Sequence, residues 1–346
     1  MAWSPLLCRV VRDDGVTSYS LGHPLVDAFL VFCEARARPN TTRAYAHDLK
    51  AFFTFIKKAP QEVMSGDVLD FVASQQAPKV GSENVVHFPD ASPGLSAATV
   101  RRRLAALSAL YGYLLARGDT EVTVNPVPKG LPTRQARREL RGAPLVRAVR
   151  RLPRILEPEE AAALLAALRT RRDTSIVEAM LLGGLRRCEV LGLRLEDIKL
   201  GEHRVFVADG KGGHQRLIPI SPTFFKTLAH YLECERPIDS PTDRLFVVLK
   251  GPRRGMPLSA EGLDEIMSSA KKRAGLDHAT CHELRHTCLT RLREAGMSLE
   301  ALQAQAGHCS IASTQVYLHL GSDWLAAEYR RAADAVDAVL AQEVAR

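Results

Sequence analysis

Thr280-Cys281-His282-Glu283-Leu284-Arg285-His286-Thr287 is the densest polar constellation in the chain. Its spacing predicts the start of a helix. Thr280 and Glu283 have the separation of a capping box, in which each side chain accepts a hydrogen bond from the other residue's backbone N–H. A helix begun there brings His282, Arg285 and His286 to one face of its first turns. A guanidinium and imidazoles at the amino end of a helix suit a bound phosphate, because the free N–H groups there already favour an anion. A surface helix with incidental charges fits this octapeptide equally well, so the flanking chain has to decide.

Upstream, residues 204–209 and 216–220 flank Gly210-Lys211-Gly212-Gly213, the pattern of a β-hairpin with a tight glycine turn and Lys211 at its tip. Ser221-Pro222 then supplies a cap and a first-turn proline for another helix. A helix is also predicted over 157–168, with Pro158 in its first turn. The apolar stretch 175–193 follows, carrying Gly183-Gly184. Beyond the octapeptide the chain reads as mostly helical, ending in a tail with Trp324 and Tyr329. This half is expected to be helices around a small antiparallel sheet.

The other half is amphipathic and helical from residue 23 to 118. Asn40-Thr41-Thr42 is a helix start, followed by Tyr45, Leu49, Phe52, Phe53 and Ile56 at helical spacing. A helix is expected around 67–74, then a loop over 77–94. Ser96 caps a further helix with Val100, Leu104, Leu107, Tyr111 and Leu114 on its buried face and Gly118 past its end. Arg101, Arg102 and Arg103 fall early in it. With Arg43, they are candidate contacts for an anionic partner.

Between the halves, Pro126, Pro128, Pro132, Pro144 and Pro153 break regular structure repeatedly. The same segment is basic: Lys129, Arg134, Arg137, Arg138, Arg141, Arg147, Arg150, Arg151 and Arg154 stand against the single acid Glu139. Nine minus one is +8, equal to the formal net charge of the 346-residue chain. A solvated linker is the plain reading of such a run. Its place between two domains also lets Arg137, Arg138, Arg150 and Arg151 neutralise phosphates along a duplex. The expected organisation is an N-terminal tail (1–22), a helical domain (23–118), a basic proline-rich linker (119–154) and an α+β domain (155–346).

A hydrophobic content of 46% with 25% charged residues is that of a folded soluble protein. No apolar run reaches the length of a membrane span, and the start lacks a secretory pattern, so a cytoplasmic protein is expected. Seven cysteines without C-x-x-C spacing point to reduced thiols. The net charge calls for an anionic partner.

Three further fragments bear on the octapeptide. Gly184-Leu185-Arg186 leads to Glu189, three residues on, so one carboxylate can orient one guanidinium. Lys211 lies on the hairpin, and Gly307-His308 precedes Tyr317 by a few residues. Each alone has a bland reading: a helix pair, a solvated turn, a loop histidine, a core tyrosine.

Together and in this order they resemble the tyrosine recombinase (phage-integrase) family. Its motif is an arginine in a Gly-Leu-Arg context, a hairpin lysine, His-x-x-Arg, Gly-His and a tyrosine one short helix later. The matching residues are Arg186, Lys211, His282 with Arg285, His308 and Tyr317. The resemblance spans most of the chain, and the Asn40 and Ser96 helices are similar to the family's helical core-binding domain. Cys281 stands where the family often has proline, and the 77–94 loop is longer than in compact members.

The resemblance implies a two-domain, mainly α architecture with a small antiparallel sheet. It also implies a catalytic set in which Arg186, Arg285 and His308 bind the scissile phosphate. His282 takes the tyrosine proton, Lys211 protonates the leaving 5′-oxygen and Tyr317 is the nucleophile. Glu189 and His286 support this set from behind. No metal or other cofactor is needed. The partners are double-stranded DNA recombination sites, with a homo-tetramer on two sites and a monomer or dimer when free. Three rivals stand beside this reading: a zinc protein using Cys281, His282, His286, Cys288, His308 and Cys309, a DNA-binding protein that has lost catalysis, and a type IB topoisomerase.

Overall fold

The computed structural model describes residues 3–12, 17–37, 39–77, 94–130, 145–146, 154–208 and 215–307. They fall in two compact units, Met1–Arg150 and Arg151–Arg346.

The first unit is built on helices α1 (Pro24–Arg36), α2 (Pro39–Ile56), α3 (Ser65–Gln76) and α4 (Ala97–Arg117). Local signals set the ends of α4: the Ser96 side chain accepts from the Thr99 N–H, and Gly118 closes the helix in the left-handed region at φ 71°. Helix α2 starts at Pro39, ahead of the expected Asn40 start. A proline in the first turn sacrifices no helical hydrogen bond, so it extends the helix backwards. Thr42 is then buried.

Leu49, Phe52 and Phe53 of α2 meet Phe71 of α3 and Leu107, Leu110, Tyr111 and Leu114 of α4 in the core. Phe52 lies edge-on to both Phe53 and Phe71, with ring centroids 5.2 and 5.1 Å away, the favoured geometry for aromatic quadrupoles. The Tyr111 hydroxyl donates to the Pro60 carbonyl at 2.6 Å, so the one polar atom of that ring is satisfied.

Residues 1–22, expected as a tail, contain a hairpin. Strands β1 (Cys8–Val11) and β2 (Thr17–Ser20) pair antiparallel, with Cys8 opposite Ser20. Glu34 of α1 fixes the hairpin by accepting from the Ser18 hydroxyl (3.1 Å), the Tyr19 N–H (3.3 Å) and the Arg12 guanidinium (3.1 Å). Trp3 lies 4.9 Å from the Phe53 ring and donates to the Leu21 carbonyl. Every residue of β1 is exposed, so no buried alternation marks it in the sequence.

The second unit contains α5 (Pro158–Ala166), α6 (Arg171–Leu181), α7 (Arg187–Gly192), β3 (Ile198–Lys199), β4 (Arg204–Val207), β5 (Arg216–Pro219), α8 (Pro222–Cys234), α9 (Ala260–Arg273), α10 (Cys281–Glu294) and α11 (Leu299–Ala306). Helix α6 is its centre. Ile176, Val177, Ala179 and Met180 are fully buried as α6 packs on α8 and α10. Ser221 caps α8 with Pro222 in the first turn, and Pro158 opens α5, as the sequence signals require.

The stretch 175–193 is split at Gly183-Gly184. A Cβ on Gly183 would lie 2.6 Å from Ile220 Cδ1 and 2.8 Å from the Ala179 carbonyl, and Gly184 has φ +68°. Only glycine allows both the turn and the close packing.

The hairpin of β4 and β5 is antiparallel, with Val207 opposite Arg216 and Val205 opposite Ile218. The short β3 joins it to give the order β3-β4-β5. Its turn, with Lys211, lies outside the described residues. The fold is mainly α with small antiparallel sheets. Among the described residues no helix is long and apolar enough to cross a membrane.

Phe52→Ala removes a ring from the middle of the first core. It is expected to lower the stability of that unit by about 3–5 kcal/mol, read as a shift in the urea midpoint.

Candidate active site

Glu189 is the anchor of the site. It lies in the first turn of α7, its side chain has no solvent exposure, and Arg186 precedes the helix as its cap residue. The Arg186 N–H donates to Glu189 Oε2 at 2.9 Å and its Nη1 to Oε1 at 2.7 Å. Arg216, the first residue of β5, grips the same carboxylate with Nη1 on Oε1 at 3.1 Å and Nη2 on Oε2 at 2.9 Å. The Arg285 Nη1 lies 3.9 Å from Oε2. Burial pushes the Glu189 carboxyl up, but the hydrogen bonds and charges of Arg216 and Arg186 together outweigh it and hold the pKa below the ordinary value.

Backbone carbonyls fix the other ends of the guanidinium groups. Arg186 Nη2 donates to the Gly307 carbonyl at 3.2 Å. Arg285, nearly fully buried, donates to the carbonyls of Gly184 and Ala306, the latter at 2.7 Å. Arg216 Nε reaches the Gln305 carbonyl at 3.3 Å, and Gln305 Nε2 binds the carbonyl of Gly183 at 2.9 Å. The Gly183-Gly184 turn and the end of α11 are thereby tied to one cluster. Among the described residues three guanidinium groups share one carboxylate, so positive charge outnumbers negative in the cluster.

Helix α10 begins as its capping box demands: the Thr280 N–H donates to Glu283 Oε2 at 2.8 Å, and the Glu283 N–H to the Thr280 hydroxyl at 3.2 Å. Cys281 is the first helical residue, a position that suits proline equally well. His282 is exposed, and its Nε2 lies 2.7 Å from Nε2 of half-buried His286. Although its edge meets solvent, the protein packed around the rest of its ring, then the charges of Arg285 and Arg186, lower the His282 pKa against the pull of Glu283. Burial and His282 bring His286 down to about 4. Both rings are neutral at neutral pH, so the short contact needs one N–H donor and one lone pair, and the two tautomers are coupled.

The structure therefore brings Arg186, Glu189, His282, Arg285 and His286 into one site. Lys211, His308 and Tyr317 lie outside the described residues, as do Arg137, Arg138, Arg150 and Arg151. In the first unit Arg43 and Arg101 are exposed, whereas Arg102 and Arg103 are engaged within the fold. Arg102 Nη1 lies 2.5 Å and Arg103 Nε 3.7 Å from buried Asp48, and Arg103 also binds Gln75. Among the described residues no group of three or more His, Cys, Asp or Glu is arranged to hold a metal ion.

Arg216 and Gln305 were not foreseen. The available signal was the strand period: Arg216 falls on the face of Ile218, which is buried, while Leu217 between them is exposed. A charged residue on a buried strand face needs a partner.

Two family models match the chain: the phage integrase N-terminal SAM-like domain over residues 26–118 and the phage integrase family over 154–323. The tyrosine recombinase XerC of Pelotomaculum thermopropionicum is 30% identical over 321 residues, covering 88% of this chain and 96% of its own length. The chain belongs to the tyrosine recombinase family.

The recombinase is also 29% identical to XerD of Listeria monocytogenes, over 86% of this chain and 94% of that one. Among solved structures it is similar to the Tn1549 transposon integrase in complex with transposon right-end DNA, with TM-score 0.66, 18% identity and coverage of 89% and 99% of the two chains. The XerH recombinase bound to a palindromic difH substrate gives TM-score 0.62 at 19% identity, with coverage of 87% and 82%. These likenesses establish the fold. As a tyrosine recombinase the protein is an enzyme of DNA strand breaking and rejoining.

The depressed pKa of His286 makes stability depend on pH. The unfolded chain takes up a proton below the ordinary value of 6.5 while the folded site resists down to about 4. Its contribution is complete above 6.5 and is lost as pH falls through that window. Urea titrations at several pH values are expected to show a shallower loss of stability on acidification in His286→Asn than in the unaltered enzyme.

Proposed function

We propose that the protein is a site-specific recombinase that cleaves and rejoins DNA through a 3′-phosphotyrosyl bond to Tyr317. One observation carries this reading: the surplus of buried, preorganised positive charge around Glu189, beside a neutral imidazole. A phosphodiester repels nucleophiles, and negative charge grows on its oxygens in the transition state. Fixed cations stabilise that charge without reorganising.

Arg186 and Arg285 bind the non-bridging oxygens with their planar forks, and His308 adds a hydrogen bond. The Tyr317 oxygen attacks phosphorus while its proton passes to His282, whose neutral form has a lone pair to receive it. A phenol titrates near ~10 in isolation, and the surrounding cations favour its phenolate. The bond from phosphorus to the 5′-oxygen breaks, and Lys211 supplies the proton to that oxygen. The phosphotyrosyl ester keeps the energy of the broken bond, and a 5′-hydroxyl from the partner strand reverses the step. No cofactor enters this scheme.

The reading extends to strand exchange through a Holliday junction by a homo-tetramer on two DNA sites, in the service of integration, transposition or dimer resolution. The names of the relatives support it, since they include XerC, XerD and a transposon integrase seen with DNA. Lys129 to Arg154 is the natural electrostatic contact with phosphates, with Arg43 and Arg101 as further candidates. Arg102 and Arg103 also balance Asp48.

Tyr317→Phe is expected to keep DNA binding and to form no covalent adduct on a nicked suicide substrate. An undiminished adduct overturns the assignment. Replacing Arg137, Arg138, Arg150 and Arg151 together with glutamine should weaken binding to all sequences and flatten the slope of log affinity against log salt. An unchanged slope removes the linker from the DNA.

A further inference from the structure

Arg216 lies in none of the motifs that carry the recombinase chemistry, yet it makes more of the site's internal contacts than its place in a short strand suggests. Arg186 touches the Glu189 carboxylate with a single side-chain prong, on Oε1. Arg216 spans both oxygens. A planar fork on two oxygens fixes the plane of a carboxylate as well as its position. Because the Glu189 side chain is fully buried, water cannot take over this role. On its other side the Arg216 guanidinium is pressed against Gly307, where a Cβ would come within 2.8 Å of Nη1, 2.9 Å of Cζ and 3.0 Å of Nε. The carbonyls of Ala306 and Gly307 receive Arg285 and Arg186. Arg216 is thus wedged between the two supports of both phosphate-binding arginines.

We propose that Arg216 is a positioning residue: by clamping Glu189 and backing the 305–307 turn, it aims Arg186 at the scissile phosphate. It acts through other groups, since its Nε, Nη1 and Nη2 are directed to Gln305 and Glu189. The inference rests on Arg186 binding phosphate, as in the proposed function.

The clamp has a signature that mere packing lacks. Burial raises the Glu189 pKa, and Arg216 is the first of the groups opposing that rise. Without Arg216 the largest influence opposing burial is gone, so the carboxyl takes up a proton more readily on acidification, loosens its hold on Arg186, and recovers as pH rises.

The test is the rate of covalent adduct formation on a nicked suicide substrate as a function of pH. It compares the full-length enzyme with Arg216→Met, Arg216→Lys, Glu189→Gln and the Arg216→Met/Glu189→Gln pair. Arg216→Met is expected to lose about a hundredfold at the acidic end of the profile, the scale of one lost electrostatic contact to a transition state, and to regain part of it as pH rises. Arg216→Lys, which keeps the charge but not the fork, should lie between. The pair should be no slower than Glu189→Gln alone, because both changes break one unit.

A deficit equal at every pH, or additive losses in the pair, reduces Arg216 to a packing residue and overturns the proposal. If Arg216→Met does not fold by circular dichroism, the pH profile of Arg216→Lys decides in its place: a deficit growing on acidification supports the clamp, and a constant one overturns it. An unaltered enzyme that forms no adduct overturns the catalytic reading itself, a result distinct from every variant outcome.

Discussion

A carboxylate with no access to water is a costly thing to build into a protein, and its cost is offset only when opposite charges and donors meet it in good geometry. Glu189 meets that condition with two guanidinium groups in hydrogen-bond contact, a third nearby and a backbone N–H. The reverse dependence matters more for function. Three arginines could not share so small a volume without the carboxylate, and among the described residues the cluster keeps an excess of positive charge.

The rest of the second unit can be understood as the frame that makes this cluster rigid. Carbonyls that a regular helix would keep for itself are exposed where helices end. Gly184 offers its own at the break between α6 and α7, and Ala306 and Gly307 offer theirs at the close of α11. Helix ends always leave such acceptors over. Here they orient cations instead of being capped. The packing of α6 against α8 and α10 holds the break in place, and the capping box of α10 sets the phase that buries Arg285 while leaving His282 outside.

Local signals were legible in the sequence because their physics is local. Ser96 with Gly118, Ser221 with Pro222, and Thr280 with Glu283 each involve neighbours within a turn or mark the two ends of one helix, and each acts in the structure as its residue types require. The hairpin was visible for the same reason. What escaped was decided at a distance. Strand β1 has no buried side chain to betray it and is held by pairing with β2, which Glu34 of another element fixes in turn. The two-residue β3 has no pattern of its own. The Arg186–Glu189 pair was readable at three residues' spacing, but Arg216 enters the same cluster from 27 residues further on. Arg102 and Arg103 looked free for an outside partner until the fold set buried Asp48 beside them.

The separation of these contributors along the chain has a consequence for biosynthesis. Arg186 leaves the ribosome roughly 120 residues before the glycine whose carbonyl completes its setting. Arg285 likewise waits for Ala306. An unfinished chain therefore carries the arginines without the frame that aims them. The cluster cannot arise piecemeal, and it is assembled only once residues 305–307 have been made and folded against it.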